Sequence, residues 1–274
     1  MLVMALTAFA ANSVFCRLAL EKTSIDAASF TLIRLLSGGV ALAIVCLMTK
    51  KNWKPSRPHP VPILALFFYM VCFSFAYIKL SAGTGALLLF GFVQITMMGV
   101  AIAQGKKMSG IAWGGLICAM MGLVYLVSPG ISAPEPFFAI LMAIAGIAWG
   151  IYSLYGGKVT DATSSTASNF LYATLLGFFL SMFLIESAYL TVEGIILALA
   201  SGVLASGLGY AVWYRVLPLI PVTSAASLQL SVPALAAFGG IIFIGEPITS
   251  RLIVSVLLII GGIAVVIEQN RKSN

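Results

Sequence analysis

Few side chains in this chain are able to do chemistry, and those standing inside long apolar runs are the most constrained. Arg34 lies about two turns into one such run, and Arg17 lies near the end of the run before it. A polar group left unpaired in apolar surroundings costs about 2–7 kcal/mol, so each needs either a partner or a task. Arg34 has two readings. It meets an anionic group of a solute or swings between partners as parts of the protein rock, or it is held structurally by helix carbonyls or by Asp26 and Glu21. Arg17 has Glu21 one turn away and reads as a side chain that snorkels to an interface.

Asn12 and Ser13 stand among alanines in mid-run, where an amide stays dry unless it faces a wet cavity or a neighbouring helix. Gln94 and Gln229 are the amides of two later runs, each a candidate for contact with a solute or for an interhelical hydrogen bond. Trp149 and Tyr152, with Tyr210 and Trp213, supply aromatic walls; Trp149 and Tyr210 fall near mid-run, where an indole N–H or a phenol needs a partner. Walls of this kind suit an apolar, aromatic or cationic solute. The candidate solute-binding residues are therefore Asn12, Ser13, Arg34, Gln94, Trp149, Tyr152, Tyr210, Trp213 and Gln229. Trp53, Tyr155 and Tyr214 read as interfacial belt residues, and Tyr77 with Lys79 as belt or gate. Pro233 falls inside an apolar run, where it removes one backbone hydrogen bond and tilts the segment as a hinge or a fixed kink.

Other chemistries lack their residues. Cys16, Cys46, Cys72 and Cys118 are isolated, His59 is the only histidine, and no spacing suits a metal, so the cysteines read as small buried apolar groups and no cofactor or metal is implied. There is no Walker A sequence, no HExxH and no Ser-His arrangement, which argues against ATP as fuel and against an intramembrane enzyme. None of the eight acidic residues falls in the middle of an apolar run. Ion-driven carriers commonly use a carboxylate there, so facilitated diffusion or exchange is the simplest mechanism.

The elements that must position these residues follow from composition. The chain has 274 residues, 61% hydrophobic and 8% charged, with mean hydropathy +1.10, more apolar surface than a soluble domain is able to bury. Its apolar runs are about 20 residues long, the length that lets a helix cross roughly 30 Å of hydrocarbon, and they lack the alternation of a β-barrel. Ten spans are expected, at 2–20, 27–48, 61–80, 83–104, 108–127, 135–156, 164–186, 192–215, 220–244 and 249–268. Ala8-Phe9-Ala10 resembles a cleavage site, but no basic residue precedes it, so the first span is read as retained. The net charge of +7 sits in short loops, a topology signal rather than a nucleic-acid footprint. Lys50, Lys51, Lys54, Arg57, Lys106, Lys107, Lys158, Arg215, Arg271 and Lys272 fall on one side, against Lys22, Lys79 and Arg251 on the other. That bias puts both termini in the cytoplasm of a cell with its protein in the cytoplasmic (inner) membrane.

The chain also repeats itself. Gly83-Thr84-Gly85-Ala86 aligns with Thr223-Ser224-Ala225-Ala226, Gly105 with Gly245, and Gly122-Leu123-Val124 with Gly262-Ile263-Ala264, all at an offset of 140 positions. Gly105 and Gly245, each after an apolar run, look like helix C-terminal caps. Five spans per half is an odd number, so the second half enters the membrane inverted, an arrangement that usually serves transport. The expected units are 1–127, a linker at 128–134, an inverted unit at 135–268 and a cytoplasmic tail at 269–274.

Several segments resemble the drug/metabolite transporter superfamily, in particular its EamA-type ten-helix permeases. They are Ala11-Asn12-Ser13-Val14-Phe15, Ser29-Phe30-Thr31-Leu32-Ile33-Arg34, and Val232-Pro233-Ala234 followed by Gly245-Glu246-Pro247-Ile248-Thr249 and Gly261-Gly262. The first repeat departs from the pattern, with Val93 opposite Pro233 and Lys106-Lys107 opposite Glu246-Pro247. The resemblance implies an all-α membrane protein in which spans 1, 3, 4, 6, 8 and 9 enclose a central cavity, spans 5 and 10 pack behind, and a small organic metabolite such as an amino acid crosses by alternating access. The expected partners are that solute and membrane lipids; oligomeric state is left open, and a monomer is compatible with the pattern. The competing reading is a membrane scaffold or lipid-interacting subunit whose polar groups are all satisfied helix to helix. Topology is testable without a structure: cysteines placed at positions 2 and 272 of a cysteine-free variant are expected to label with a membrane-impermeant reagent from the same, cytoplasmic side. Labelling from opposite sides would overturn the ten-span count.

Overall fold

The computed structural model describes residues 1–22, 24–49, 53–105, 109–128, 130, 133–157, 159–216, 229 and 231–272. Lys50, Lys51, Lys106, Lys107, Lys158, parts of the 128–134 linker and the stretch 217–228, which holds the opening of the second repeat's ninth span, lie outside the described residues, as does the side chain of Tyr214.

Among the described residues ten longer helices follow one another, besides a short 3-10 turn at Ile185–Ser187: α1 Leu2–Glu21, α2 Ala27–Thr49, α3 Pro60–Ala76, α4 Ala82–Ala103, α5 Gly110–Val127, α6 Pro136–Gly156, α7 Ala162–Phe183, α8 over 192–216, α9 Val232–Ile244 and α10 Ser250–Lys272. Eight of them are long and apolar enough to cross a membrane, and α3 and the described part of α9 are shorter apolar helices. The sequence dictates where they start. The side chains of Asp26, Ser81, Ser109, Asp161, Thr191 and Thr249 each accept from the backbone N–H three residues on, satisfying a donor that the first helical turn leaves open. Pro60 and Pro136 open α3 and α6, where a missing N–H costs nothing. Gly105 and Gly245 adopt φ of 88° and 81°, the left-handed conformation that ends α4 and α9. Pro233 stands in the first turn of the described part of α9; most of the expected span before it, 220–228, where a hinge or kink would act, lies outside the described residues.

Two helices depart from α geometry. α8 changes from α-helix (Val192–Ala200) to π-helix (Ser201–Leu208) and back (Gly209–Val216), and α9 ends in a π stretch, Gly240–Ile244. Such wide turns are uncommon and cluster at functional sites.

Packing relates the halves. α3 and α4 pack on α6 as α8 and α9 pack on α1. Helices at equivalent places in the two halves also meet, and they meet antiparallel. α2 runs against α7, with Ser181 Oγ donating to Ala28 O at 3.3 Å and Gly38 facing Phe170. α4 meets α9 through Gly83 on Ala237 and Ala82 on Gly240. α5 packs along α10, where Cys118 Sγ lies 3.6 Å from Leu258 O, a pair separated by the repeat offset itself. A β-carbon on Gly115 would stand 2.6 Å from the Gly262 carbonyl oxygen, so the two backbones touch, as small residues permit when lipid offers no hydrophobic drive to associate. Large side chains such as Leu47, Phe179 and Leu257 are exposed on the outer faces of α2, α7 and α10, which suits a lipid solvent. Gly115→Ala is therefore expected to lower stability by about 1–3 kcal/mol in a melting experiment. Gly114→Ala, where nothing lies within 4 Å of the added methyl, serves as the neutral control; equal melting of the two variants would contradict this packing.

Candidate functional site

The polar centre of the bundle is built on Tyr69 of α3. Its hydroxyl oxygen accepts from Arg34 Nη2 at 3.0 Å and from Asn12 Nδ2 at 3.4 Å. Asn12 Oδ1 in turn accepts from Ser201 Oγ at 2.6 Å, and Arg34 Nε donates to Ser206 Oγ at 3.2 Å. Four helices, α1, α2, α3 and α8, are thus joined by one chain of hydrogen bonds. Both serines come from the π stretch of α8, whose wide turn leaves Ser201, Gly202, Ala205 and Ser206 buried toward α1 and α2. The ring of Phe73 lies 4.8 Å and that of Tyr69 5.4 Å from the guanidinium carbon, so the cation is also stacked on aromatic faces.

Arg34 is 0% exposed, its Nη1 has no hydrogen-bond partner, and no carboxylate forms an ion pair with it. A buried ion without a counterion carries a penalty on the order of several kcal/mol. The two structural partners considered from the sequence, Asp26 and Glu21, do not hold it. Asp26 accepts from the N–H groups of Ser29 and Tyr189, and Glu21 lies 3.9 Å from Arg17.

Beside this network is a small cavity of about 20 Å³, room for roughly one water molecule. It is lined by Phe9, Asn12 and Ser13 of α1, Tyr69 and Phe73 of α3, Leu89 and Phe90 of α4, Trp149 of α6, and Ala205 and Tyr210 of α8. Trp149 stands at the middle of the wall, 4.8 Å from Tyr69, 5.2 Å from Tyr210 and 5.5 Å from Tyr152 between ring centres.

A second polar cluster seals the end of the bundle where α4 and α10 begin. Arg17 Nε meets Glu246 Oε1 at 3.2 Å, and Arg17 Nη1 donates to the carbonyls of Tyr77 and Ile78 at 3.2 and 2.9 Å. Both Glu246 oxygens accept from the Ala82 N–H, at 3.0 and 2.9 Å. Burial pushes the Glu246 carboxyl above its ordinary range, while the Ala82 N–H and Arg17 work in the other direction. This cluster clamps α1 and the α9–α10 turn onto the α3–α4 turn. Arg17, read from sequence as snorkelling beside Glu21, is instead 13% exposed and engaged mainly with Glu246 and two carbonyls. Tyr77 is no belt residue: it is fully buried and donates to Ala82 O at 3.3 Å. Trp53 also has a partner, donating to Ser164 Oγ at 2.6 Å and holding the α2–α3 loop on α7.

Of the residues proposed from sequence, Asn12, Ser13, Trp149 and Tyr210 line the cavity, Arg34 touches it through Tyr69, and Tyr152 stacks behind Trp149. Gln94 is buried on α4 and Trp213 packs edge-on against Phe9, but neither lines the cavity, and nor does Gln229. Tyr69, Phe73, Ser201 and Ser206 were not singled out. Tyr69 met the criterion that selected Tyr210, a phenol at mid-span, whereas the serines gained their place from the π geometry, which leaves no mark in the hydropathy pattern. Tyr69→Phe would strip Arg34 Nη2 and Asn12 Nδ2 of their acceptor at once. It is expected to cost about 1–3 kcal/mol of stability, read as a lower melting temperature, and unchanged melting would show that the hydroxyl is not what holds the centre.

The family model of the EamA-like transporter family matches residues 136–268. The chain is 44% identical to uncharacterized protein PA1977 of Pseudomonas aeruginosa, over 97% of this chain and 92% of that one. It is 25% identical to the uncharacterized transporter YoaV of Bacillus subtilis, over 85% of each chain, and 26% identical to the uncharacterized transporter YwfM of the same organism, over 93% of this chain and 88% of that one. A protein of known crystal structure, 18% identical, superposes over 96% of both chains with a TM-score of 0.67, which establishes a shared fold. A ten-helix apolar bundle with a polar centre, matched along its length by relatives named as transporters, is a multi-pass membrane transporter, and the chain belongs to the EamA-like transporter family.

Proposed function

We propose that the chain is a permease of the cytoplasmic membrane that carries a small organic metabolite outward by alternating access, with both termini in the cytoplasm. The observation that carries this reading is the small cavity at the polar centre, walled by side chains of α1, α3 and α4 from the first half and α6 and α8 from the second. Two inverted units, 1–127 and 135–268, supply the moving parts. The antiparallel meeting of α2 with α7, α4 with α9 and α5 with α10 supports the inversion. In this scheme α1, α2, α8 and α9 move against α3, α4, α6 and α7, with α5 and α10 as the backing pair. A pure scaffold is the weaker reading, because Arg34 Nη1 remains unpartnered among the described residues where a scaffold would satisfy it. No carboxylate stands at the centre, which supports an uncoupled or exchange-driven cycle.

The bundle is held on one side by the Arg17–Glu246–Ala82 clamp. The equivalent turn of the first repeat carries Lys106 in place of Glu246, so the opposite face lacks that carboxylate in its sequence. Opening toward the clamped side requires breaking hydrogen bonds to charged groups, each worth about 1.5–3 kcal/mol. In a cysteine-free background, Ala205→Cys places a thiol in the cavity wall. Adding Glu246→Ala is expected to raise its labelling rate from the outer side roughly tenfold, since about 1.4 kcal/mol is a factor of ten. A rate indifferent to residue 246 would remove the clamp from the mechanism, and a thiol unreachable from either side in every variant would remove alternating access.

A further inference from the structure

Resting on the transport reading, we propose that the solute is an organic monoanion whose acidic group docks on Arg34, and that zwitterions and cations of the same shape are refused. Charge comes first. Among the described residues Arg34 is the one cation of the polar centre, and its ionisable neighbours are Tyr69, Tyr210 and Cys16, none of them a carboxyl group. Every Asp and Glu of the chain is placed elsewhere: Glu21 and Glu246 with Arg17, Glu135 with Lys79, Glu268 with Arg271. Asp26 and Asp161 cap helices, and Glu186 and Glu193 are exposed. The residues outside the described set contain no Asp or Glu, so no side chain of this protein supplies the missing counterion. A monoanion neutralises the centre, a zwitterion leaves it at +1, and a cation makes it worse.

Hydrogen bonding points the same way. Arg34 Nη1 is a buried donor with no acceptor among the described residues. Tyr69 has both lone pairs engaged by Arg34 and Asn12, so its own proton is left to give, either to the neighbouring Tyr210 or to an acceptor in the cavity. Asn12 has its carbonyl oxygen taken by Ser201. The site therefore has surplus donors, and a carboxylate is acceptor-only with about four lone-pair positions. An ammonium, which only donates, finds neutral hydroxyl and amide oxygens and aromatic faces here but no carboxylate, and it meets the like charge of Arg34. The remaining wall, Phe9, Phe73, Trp149 and Tyr210, is aromatic, which suits a flat apolar body attached to the acid and leaves a bare inorganic anion with most of the wall unused.

One phenol carried on three charges tests this. Purified full-length protein in proteoliposomes is assayed for counterflow of 3-(4-hydroxyphenyl)propanoate (net −1), tyrosine (net 0) and tyramine (net +1), and the melting temperature of the detergent-solubilised protein is measured with each. The propanoate is expected to exchange at least tenfold faster than the other two and to be the one that raises the melting temperature. Arg34→Gln is expected to abolish that preference, and Arg34→Lys to keep it at a reduced rate. If Arg34→Gln does not fold, the melting series on the unaltered protein still decides. Tyrosine or tyramine moving as fast as the propanoate would overturn the charge class while leaving transport intact. Silence from all three, with the Ala205→Cys thiol still reachable in turn from each side, would equally overturn the class. Silence from all three with a thiol reachable from neither side would bring down the transport reading beneath it.

Discussion

An ionised guanidinium held in the middle of an apolar bundle is the constraint to which the rest of the structure answers. Arg34 cannot be deprotonated at any ordinary pH, so the protein must solvate it with its own groups. The hydroxyl of Tyr69, the hydroxyl of Ser206 and two aromatic faces do so incompletely. These partners sit on two neighbours of α2, α3 and α8, and each neighbour is placed by what its sequence allows. α8 reaches Arg34 because its π turn carries Ser206 inward, and Gly202 lies so close to Arg34 that a side chain there would strike the α2 backbone. Leaving one guanidinium nitrogen unpaired is costly in a fixed scaffold and useful in a protein that must recognise something at that point.

The surrounding architecture is dominated by close backbone approach. Where α5 crosses α10, and where α2 crosses α7, glycines let the helices touch at distances that a methyl group would prevent. These contacts gather around the places where equivalent helices of the two halves meet, so the chain uses its smallest residues at the joints of its own repeat. The polar clamp at one end is a different device, since it joins charges and carbonyls that are only partly buried and are able to separate without leaving a bare ion deep in hydrocarbon. Tight apolar joints and a separable polar latch together suit a bundle whose parts rock while its seams stay closed.

The asymmetry between the halves carries as much meaning as their likeness. Both carry a left-handed glycine cap at the same repeat position, Gly105 and Gly245. Only the second follows it with Glu246, which meets Arg17; the first follows it with Lys106. Likewise α8 contains the π stretch, whereas α3, its counterpart, is an ordinary helix that contributes Tyr69. The polar centre thus draws its hydrogen-bonding groups unequally from the two halves of the chain.

Helix count and membrane residence were legible in the sequence, because hydrocarbon thickness sets helix length and the absence of water forces every backbone group into a helix. Helix starts were legible too, wherever an Asp, Ser or Thr preceded an apolar run. The isolated polar residues could be listed, since so few exist, and Asn12, Ser13, Arg34, Trp149 and Tyr210 did converge. Partnerships could not be read. That Arg17 meets Glu246 across 229 positions, that Tyr69 rather than Gln94 completes the centre, and that Ser201 and Ser206 turn inward depend on how helices rotate about their axes and where one of them widens. Hydropathy in these helices is nearly uniform around the circumference, so nothing in the one-dimensional pattern says which face looks inward; only the packing of small residues against their neighbours decides it.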